Sequence, residues 1–181
     1  MRKLNLDILK EGLSGISPTR GAFYREAVIV GLSRQGFKSG VVINILGDFE
    51  EEVSIEWTDD VNKTTIESWR DEFQIANFGA VGIALLLMLE FLKFENFEEG
   101  TIGTGIDFWL SKHPFKEEEI AFHRREARLE VSGILKEKKG NTINMRIGRK
   151  KKQISVSDYL ELPGWIVDVE FSTPKSKIIK K

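Results

Sequence analysis

The sequence predicts an α/β (or α+β) domain, a mixed central sheet flanked by helices. Three observations carry that prediction. The stretch Phe78–Phe94 is apolar on nearly every side, interrupted only by Glu90 and Lys93, which is the pattern of a helix covered all round. Ile106–Leu110 and Leu129–Leu135 are short runs rich in branched and aromatic residues, as strands are. Trp165–Phe171, following the Pro163-Gly164 break, reads the same way. Helical and strand patterns therefore alternate along the second half of the chain, an order that layered sheet-and-helix domains share.

Taken in order, Leu4, Leu6 and Ile8 alternate as a short strand does. Ser17-Pro18 is a helix start, with Ser as cap and Pro at the first helical position. The helix that follows, Thr19–Gln35, carries Ala22, Phe23, Ala27, Val30 and Leu32 and stops at Gly36. Gly40–Leu46 and Val53–Trp57 form a hairpin around Gly47-Asp48. Asp59-Asp60 caps a second helix through Ile66, Trp69 and Phe73. That helix either runs on into the apolar helix or breaks near Asn77-Phe78-Gly79; the break is favoured because helices beyond about 25 residues are uncommon in compact domains. Glu95–Gly100 reads as an acidic connector and Gly100–Gly105 as tight turns before a strand. Ser111–Glu126 is a charged excursion. Thr142–Ile154 is a helix with Ile143, Ile147 and Ile154 on one face and Arg146, Arg149, Lys150, Lys151 and Lys152 on the other. The expected organisation is a single domain, 1–181. Within it, 1–70 is an N-terminal extension of helix, hairpin and helix, 71–174 is the core, and 175–181 is a frayed basic tail.

A chain of 181 residues with 41% hydrophobic and 30% charged side chains is long enough to bury a full core. The formal net charge of −1 supplies no overall attraction to nucleic acid or anionic membrane, so a nucleic-acid role requires a local basic face. The absence of cysteine excludes disulfides, thiolate zinc sites and Cys nucleophiles. His113 and His123, the only histidines, cannot build a zinc site without other imidazole or thiolate ligands. Met1–Asp7 lacks the apolar centre of a signal peptide, and Phe78–Phe94 is read as a core helix rather than a membrane span. The expectation is a soluble cytoplasmic protein without membrane association. Neither Gly-x-Ser-x-Gly nor Gly-x-Gly-x-x-Gly occurs, so serine-hydrolase and dinucleotide-binding readings find no motif.

The remaining chemistry lies on the two central strands. Strand parity sets Asp107 and Trp109 on one face, against Ile106, Phe108 and Leu110 on the other. It sets Arg128, Glu130, Ser132 and Ile134 opposite Leu129, Val131 and Gly133. If the strands are neighbours with their apolar faces aligned, Asp107 and Glu130 point the same way. Two converging carboxylates suit a hard divalent cation, because Mg²⁺ is held by one or two carboxylates plus water and phosphate. The bland alternatives are a solvent-facing Asp107 and a Glu130 paired with Arg128 or Arg146. Glu90, in so apolar a helix, reads as half of an ion pair or as a further ligand.

On these residues the chain resembles the PD-(D/E)XK nuclease superfamily. The resemblance covers roughly residues 71–172. Gly105-Ile-Asp107-Phe-Trp109 matches the strand that bears the Asp, and Leu129-Glu130-Val-Ser132 the strand that bears Glu-x-Lys. It implies a core of helix, three-stranded meander, helix and strand. Asp107 and Glu130, with Glu90 from the preceding helix, would be ligands for Mg²⁺ or Mn²⁺. Ser132 stands where the family has Lys, and the resemblance then implies an amine supplied from the following helix, by Lys150, Lys151 or Lys152; Lys136 has the right strand parity but lies four residues further on. The implied function is metal-dependent hydrolysis of a nucleic-acid phosphodiester, with DNA or RNA as partner. The alternative is a catalytically silent relative that binds protein or nucleic acid within a larger assembly. A third reading is an unrelated α/β domain with Asp107 and Glu130 on opposite faces.

Overall fold

The computed structural model describes residues 1–113 and 124–181; His123 lies outside them. The N-terminal half contributes β1 (Arg2–Asn5), the short α1 (Ile8–Glu11), α2 (Pro18–Arg34), β2 (Val41–Gly47), β3 (Glu51–Glu56) and α3 (Lys63–Ser68). The second half contributes α4 (Glu72–Leu92), β4 (Asn96–Glu99), β5 (Phe108–Ser111), β6 (Ala127–Ile134), α5 (Ile143–Ile154), a 3-10 turn (Ser155–Leu160), β7 (Gly164–Glu170) and β8 (Lys175–Lys180). The eight strands form one mixed sheet in the order β1-β3-β2-β8-β7-β6-β5-β4. The predicted α/β class therefore holds.

Each face of the sheet follows from strand parity. Leu129 and Val131 of β6 and Trp165, Val167 and Val169 of β7 join the main core beneath α2 and α4. The alternate residue Ile166, with Ile179 of β8, packs instead against Ile147 and Ile154 of α5. β6 and β7 run parallel and are buried along their whole length, as a parallel pair covered on both faces must be. From α4 onward the chain runs helix, antiparallel β4-β5-β6, helix, then β7 parallel to β6.

Three expectations are corrected. The helix break falls at Trp69–Asp71, not at Asn77–Gly79. Asp71 accepts hydrogen bonds from the amides of Phe73 and Gln74 and starts α4, while Arg34 donates to the carbonyls of Ile66 and Trp69 at the end of α3. Gly79 lies inside α4, where a Cβ would sit 3.2 Å from the Ala27 carbonyl oxygen of α2 and 2.8 Å from the Phe171 ring. Its role is close helix approach. The connector at 95–100 contains β4, which pairs with β5. Finally, residues 175–180 are not a frayed tail. They form β8, antiparallel to β7 and parallel to β2, with Ser176 and Ile178 fully buried.

Helix α4 is, among the described residues, the one helix long and apolar enough to cross a membrane. In this fold it packs between α2 and strands β6 and β7.

Candidate active site

The site forms where β5 leaves β6. Phe108 pairs with Leu129, and one residue earlier the Asp107 amide donates to the Leu129 carbonyl at 2.9 Å. The next amide of β6, that of Val131, is taken by Asp107 Oδ2 at 2.7 Å. A carboxylate thereby replaces a backbone carbonyl at the end of the ladder, and the buried N–H is satisfied. Upstream, Gly105 brings the loop against the end of α5: its φ is +69°, and a Cβ there would lie 2.2 Å from the Gln153 carbonyl oxygen. Only glycine accepts both conditions.

Glu130 is fully buried on the face of β6 that looks toward α5. Lys150 reaches down from α5 and donates to Glu130 Oε1 at 2.5 Å. The other oxygen, Oε2, is buried without a hydrogen-bond partner. Arg146, four residues before Lys150 and so on the same side of α5, lines the same cleft, while Arg149, Lys151 and Lys152 are exposed. The basic residues of α5 thus divide between two sides. The reading that placed Arg146 and Lys150 with the solvent-facing cations is corrected, because both lie over the polar row of the sheet.

That row extends onto β7. Asp168 is fully buried beside Ser132, its register partner, and neither carboxylate oxygen nor Ser132 Oγ has a hydrogen-bond partner. Burial raises the Asp168 pKa to about 7, against the opposing pull of nearby Ser132, Arg146 and Lys150. Burial likewise pushes Glu130 up to about 7; the neighbouring Asp107 charge pushes the same way, and Lys150 opposes. Asp107 is also raised, chiefly by burial, with the Val131 amide and Lys150 opposing. Desolvation is the dominant cause at all three groups.

A cleft of about 340 Å³ opens over these groups, with Phe73, Asn77, Phe78 and Val81 of α4 on one side and Arg146 and Lys150 on the other. Its rim includes Glu99, whose carboxylate is gripped by Arg20 at 2.8 and 3.0 Å. Of the residues singled out in the sequence, Asp107, Glu130 and Lys150 come together here. Lys152 does not, being exposed on α5. Nor does Glu90, which pairs with Arg2 at 4.0 Å and Lys93 at 3.9 Å. It lies nine residues beyond Val81 on α4, about 13 Å along the axis. Arg128, a suggested partner for Glu130, instead donates to the carbonyls of Ile154 and Leu162 and to Ser157 and Asp158.

Sequence reasoning missed Asp168. The available signal was its position two residues before Glu170 in the otherwise apolar run Trp165–Phe171, since charges inside a strand covered on both faces need a reason. Glu170 has one, accepting from the amides and hydroxyls of Ser172 and Thr173.

Among the described residues no group of three or more His, Asp or Glu side chains is arranged to hold a metal. The donor set here is two carboxylates, which suffices for Mg²⁺ or Mn²⁺ completed by water and phosphate oxygens. The unpartnered Glu130 Oε2 is the donor atom such an ion would use. Comparison of the chain with protein-family models, with curated proteins and with solved structures finds no match.

Proposed function

We propose that this protein is a divalent-metal-dependent hydrolase of nucleic-acid phosphodiesters, built on a PD-(D/E)XK-like core. The observation that carries the reading is the convergence of Asp107 and Lys150, which line one cleft, with Glu130, which is buried behind Lys150 and whose Oε2 has no hydrogen-bond partner. The succession of α4, the β4-β5-β6 meander, α5 and parallel β7 is in keeping with it.

In this mechanism Asp107 and Glu130 would hold Mg²⁺ or Mn²⁺, which when bound polarises a phosphoryl oxygen and eases deprotonation of water. Asp107 is oriented by the Val131 amide and lines the cleft. Lys150 takes over the place left by Ser132. It carries three donor protons, of which one is used on Glu130 Oε1, and the others can orient a water or a phosphate oxygen. The walls of Phe78, Val81 and Phe108 limit solvent around the reacting centre, which strengthens the electrostatics there.

Calorimetric titration of Mn²⁺ tests the reading. Saturable binding is expected in the wild type and loss of it in Asp107→Ala. Asp107→Asn, which keeps an acceptor for the Val131 amide, separates lost ligation from lost folding. A wild type that takes up no Mn²⁺ sinks the proposal.

A second reading, a silent fold that binds a partner, is favoured by one contact. Lys150 already neutralises Glu130 at 2.5 Å, and Ser132 leaves the usual amine position empty. Absence of Mn²⁺ binding together with a stable complex in solution would select it.

A further inference from the structure

The reacting cleft does not end at Arg146. A second cleft, of about 360 Å³, continues from it along the end of β6 and shares Phe73 and Arg146 with the first. Its lining adds Leu135, Lys136, Lys138 and Asn141. The two together make a groove with Asp107 in one part and, in the other, Arg146, Lys136 and Lys138 alongside the single carboxylate of Glu72.

Three features of this groove point to its occupant. Phe73 stands at the junction and is 66% exposed, although it sits in the first turn of an otherwise deeply buried helix. A large ring left in solvent at the waist of a groove is a surface for stacking. Lys136 and Lys138 are exposed and, among the described residues, form no ion pair; Arg146 donates to Asn141 Oδ1 at 2.9 Å and its charge also acts on the buried Asp168. Exposed lysines spaced along a groove suit a chain of phosphates. Lastly, Glu130 is fully buried behind Lys150 and Asp107, in the cleft lining, is half-buried, so a phosphodiester must descend between Phe78 and Lys150 to reach them. A duplex keeps its base faces stacked inside and offers Phe73 nothing to stack on.

We infer that the groove binds an unpaired nucleic-acid strand. One base stacks on Phe73, the phosphate on one side of it reaches Asp107, Glu130 and Lys150, and the following phosphates run along Arg146, Lys136 and Lys138. This rests on the proposed reacting centre and adds the substrate class: single strands, tails or flaps rather than intact duplex.

The test is binding of a fluorescent twelve-nucleotide oligo(dA) and of a hairpin duplex of equal length, with Ca²⁺ in place of Mn²⁺. The single strand is expected to bind more tightly than the duplex. Phe73→Ala should weaken it roughly ten-fold, the loss that follows from removing one base–aromatic stack. Lys136→Ala/Lys138→Ala should lower the slope of log K against log salt by about 1.4. Both variants alter exposed side chains, and both should keep wild-type Mn²⁺ titrations. Equal or tighter duplex binding, or an unaltered affinity in Phe73→Ala, overturns the inference. So does competition by a poly-glutamate peptide as effective as the oligonucleotide, which would assign the groove to an acidic protein partner. Mn²⁺ binding without strand binding rejects the groove and spares the metal site; strand binding without Mn²⁺ does the reverse.

Discussion

Asp168 is fully buried, with neither oxygen in a well-formed hydrogen bond; the nearby Ser132 hydroxyl, the cations Arg146 and Lys150 and the Val169 amide only partly offset the cost of burying its charge. Its folded pKa of about 7 lies above the ordinary value of 3.8. The native state therefore holds the proton more tightly than the unfolded chain does. The stability this contributes is complete below about pH 4 and is lost as pH rises through about 7. Glu130 acts in the same sense, from 4.5 to about 7. Denaturant melts of the metal-free protein should show lower stability at pH 8 than at pH 5.5. Asp168→Asn, which keeps the shape without the charge, should flatten that slope and raise stability at pH 8. A slope unchanged in the variant would show that Asp168 is not the group that titrates. Mn²⁺ affinity should increase over the same interval, because Glu130 must lose its proton before it can ligate.

Among the elements, α4 does most to position the site. Its first half lines the cleft with Phe73, Asn77, Phe78 and Val81, and its depth is set by contact with α2. At Gly79 there is no room for a side chain between α4, the Ala27 carbonyl and the Phe171 ring. Gly79→Val forces the two helices apart. The expected cost is about 1–3 kcal/mol, as overpacking in a close-packed core brings, read as a lower midpoint in urea. If the midpoint of Gly79→Val equals that of the wild type, the close approach is not a constraint. Helix α5 has a different task. Ile147 and Ile154 anchor it to Ile166 and Ile179, which leaves the turn holding Arg146 and Lys150 facing the polar row of the sheet.

For the molecule as a whole, the sheet joins the two halves of the chain through its last strand. β8 lies between β2 and β7, so within the sheet the N-terminal strands β1, β3 and β2 are hydrogen-bonded to the remainder through residues 175–180, while Arg2 and Phe49 add side-chain contacts to α4. Removing residues 175–181 would expose the ladder edges of β2 and β7 together with the core around Ile178. Loss of cooperative unfolding and aggregation are expected, since bare strand edges pair with other chains. A truncated protein that melts as the wild type does would mean that the halves hold together through the helices alone. The position of β8 also ties the site to the N-terminal half, because β7, which carries Asp168, is hydrogen-bonded to β8 along its whole length.

Much of this architecture was legible in local pattern. Ser17-Pro18 starts α2 with Ser17 Oγ accepting from the Arg20 amide; the hairpin, α5 and β7 fall within a residue or two of where periodicity puts them. The common face of Asp107 and Glu130 was also readable, because parity is a property of each strand by itself and the apolar faces had to coincide. What local pattern could not carry was partnership. Lys175–Lys180 looks like a solvated tail until β2 and β7 stand on either side of it, and Gly79 looks like a break until α2 crosses it. Which lysine of α5 meets Glu130 depends on how that helix lies on the sheet. The orphaned carboxylate of Asp168 depends on burial from both faces at once. Composition and spacing along the chain determine which elements form and which way their side chains alternate. Tertiary packing decides which of those side chains lose water, and with it the charges, proton affinities and contacts on which any chemistry at this site rests.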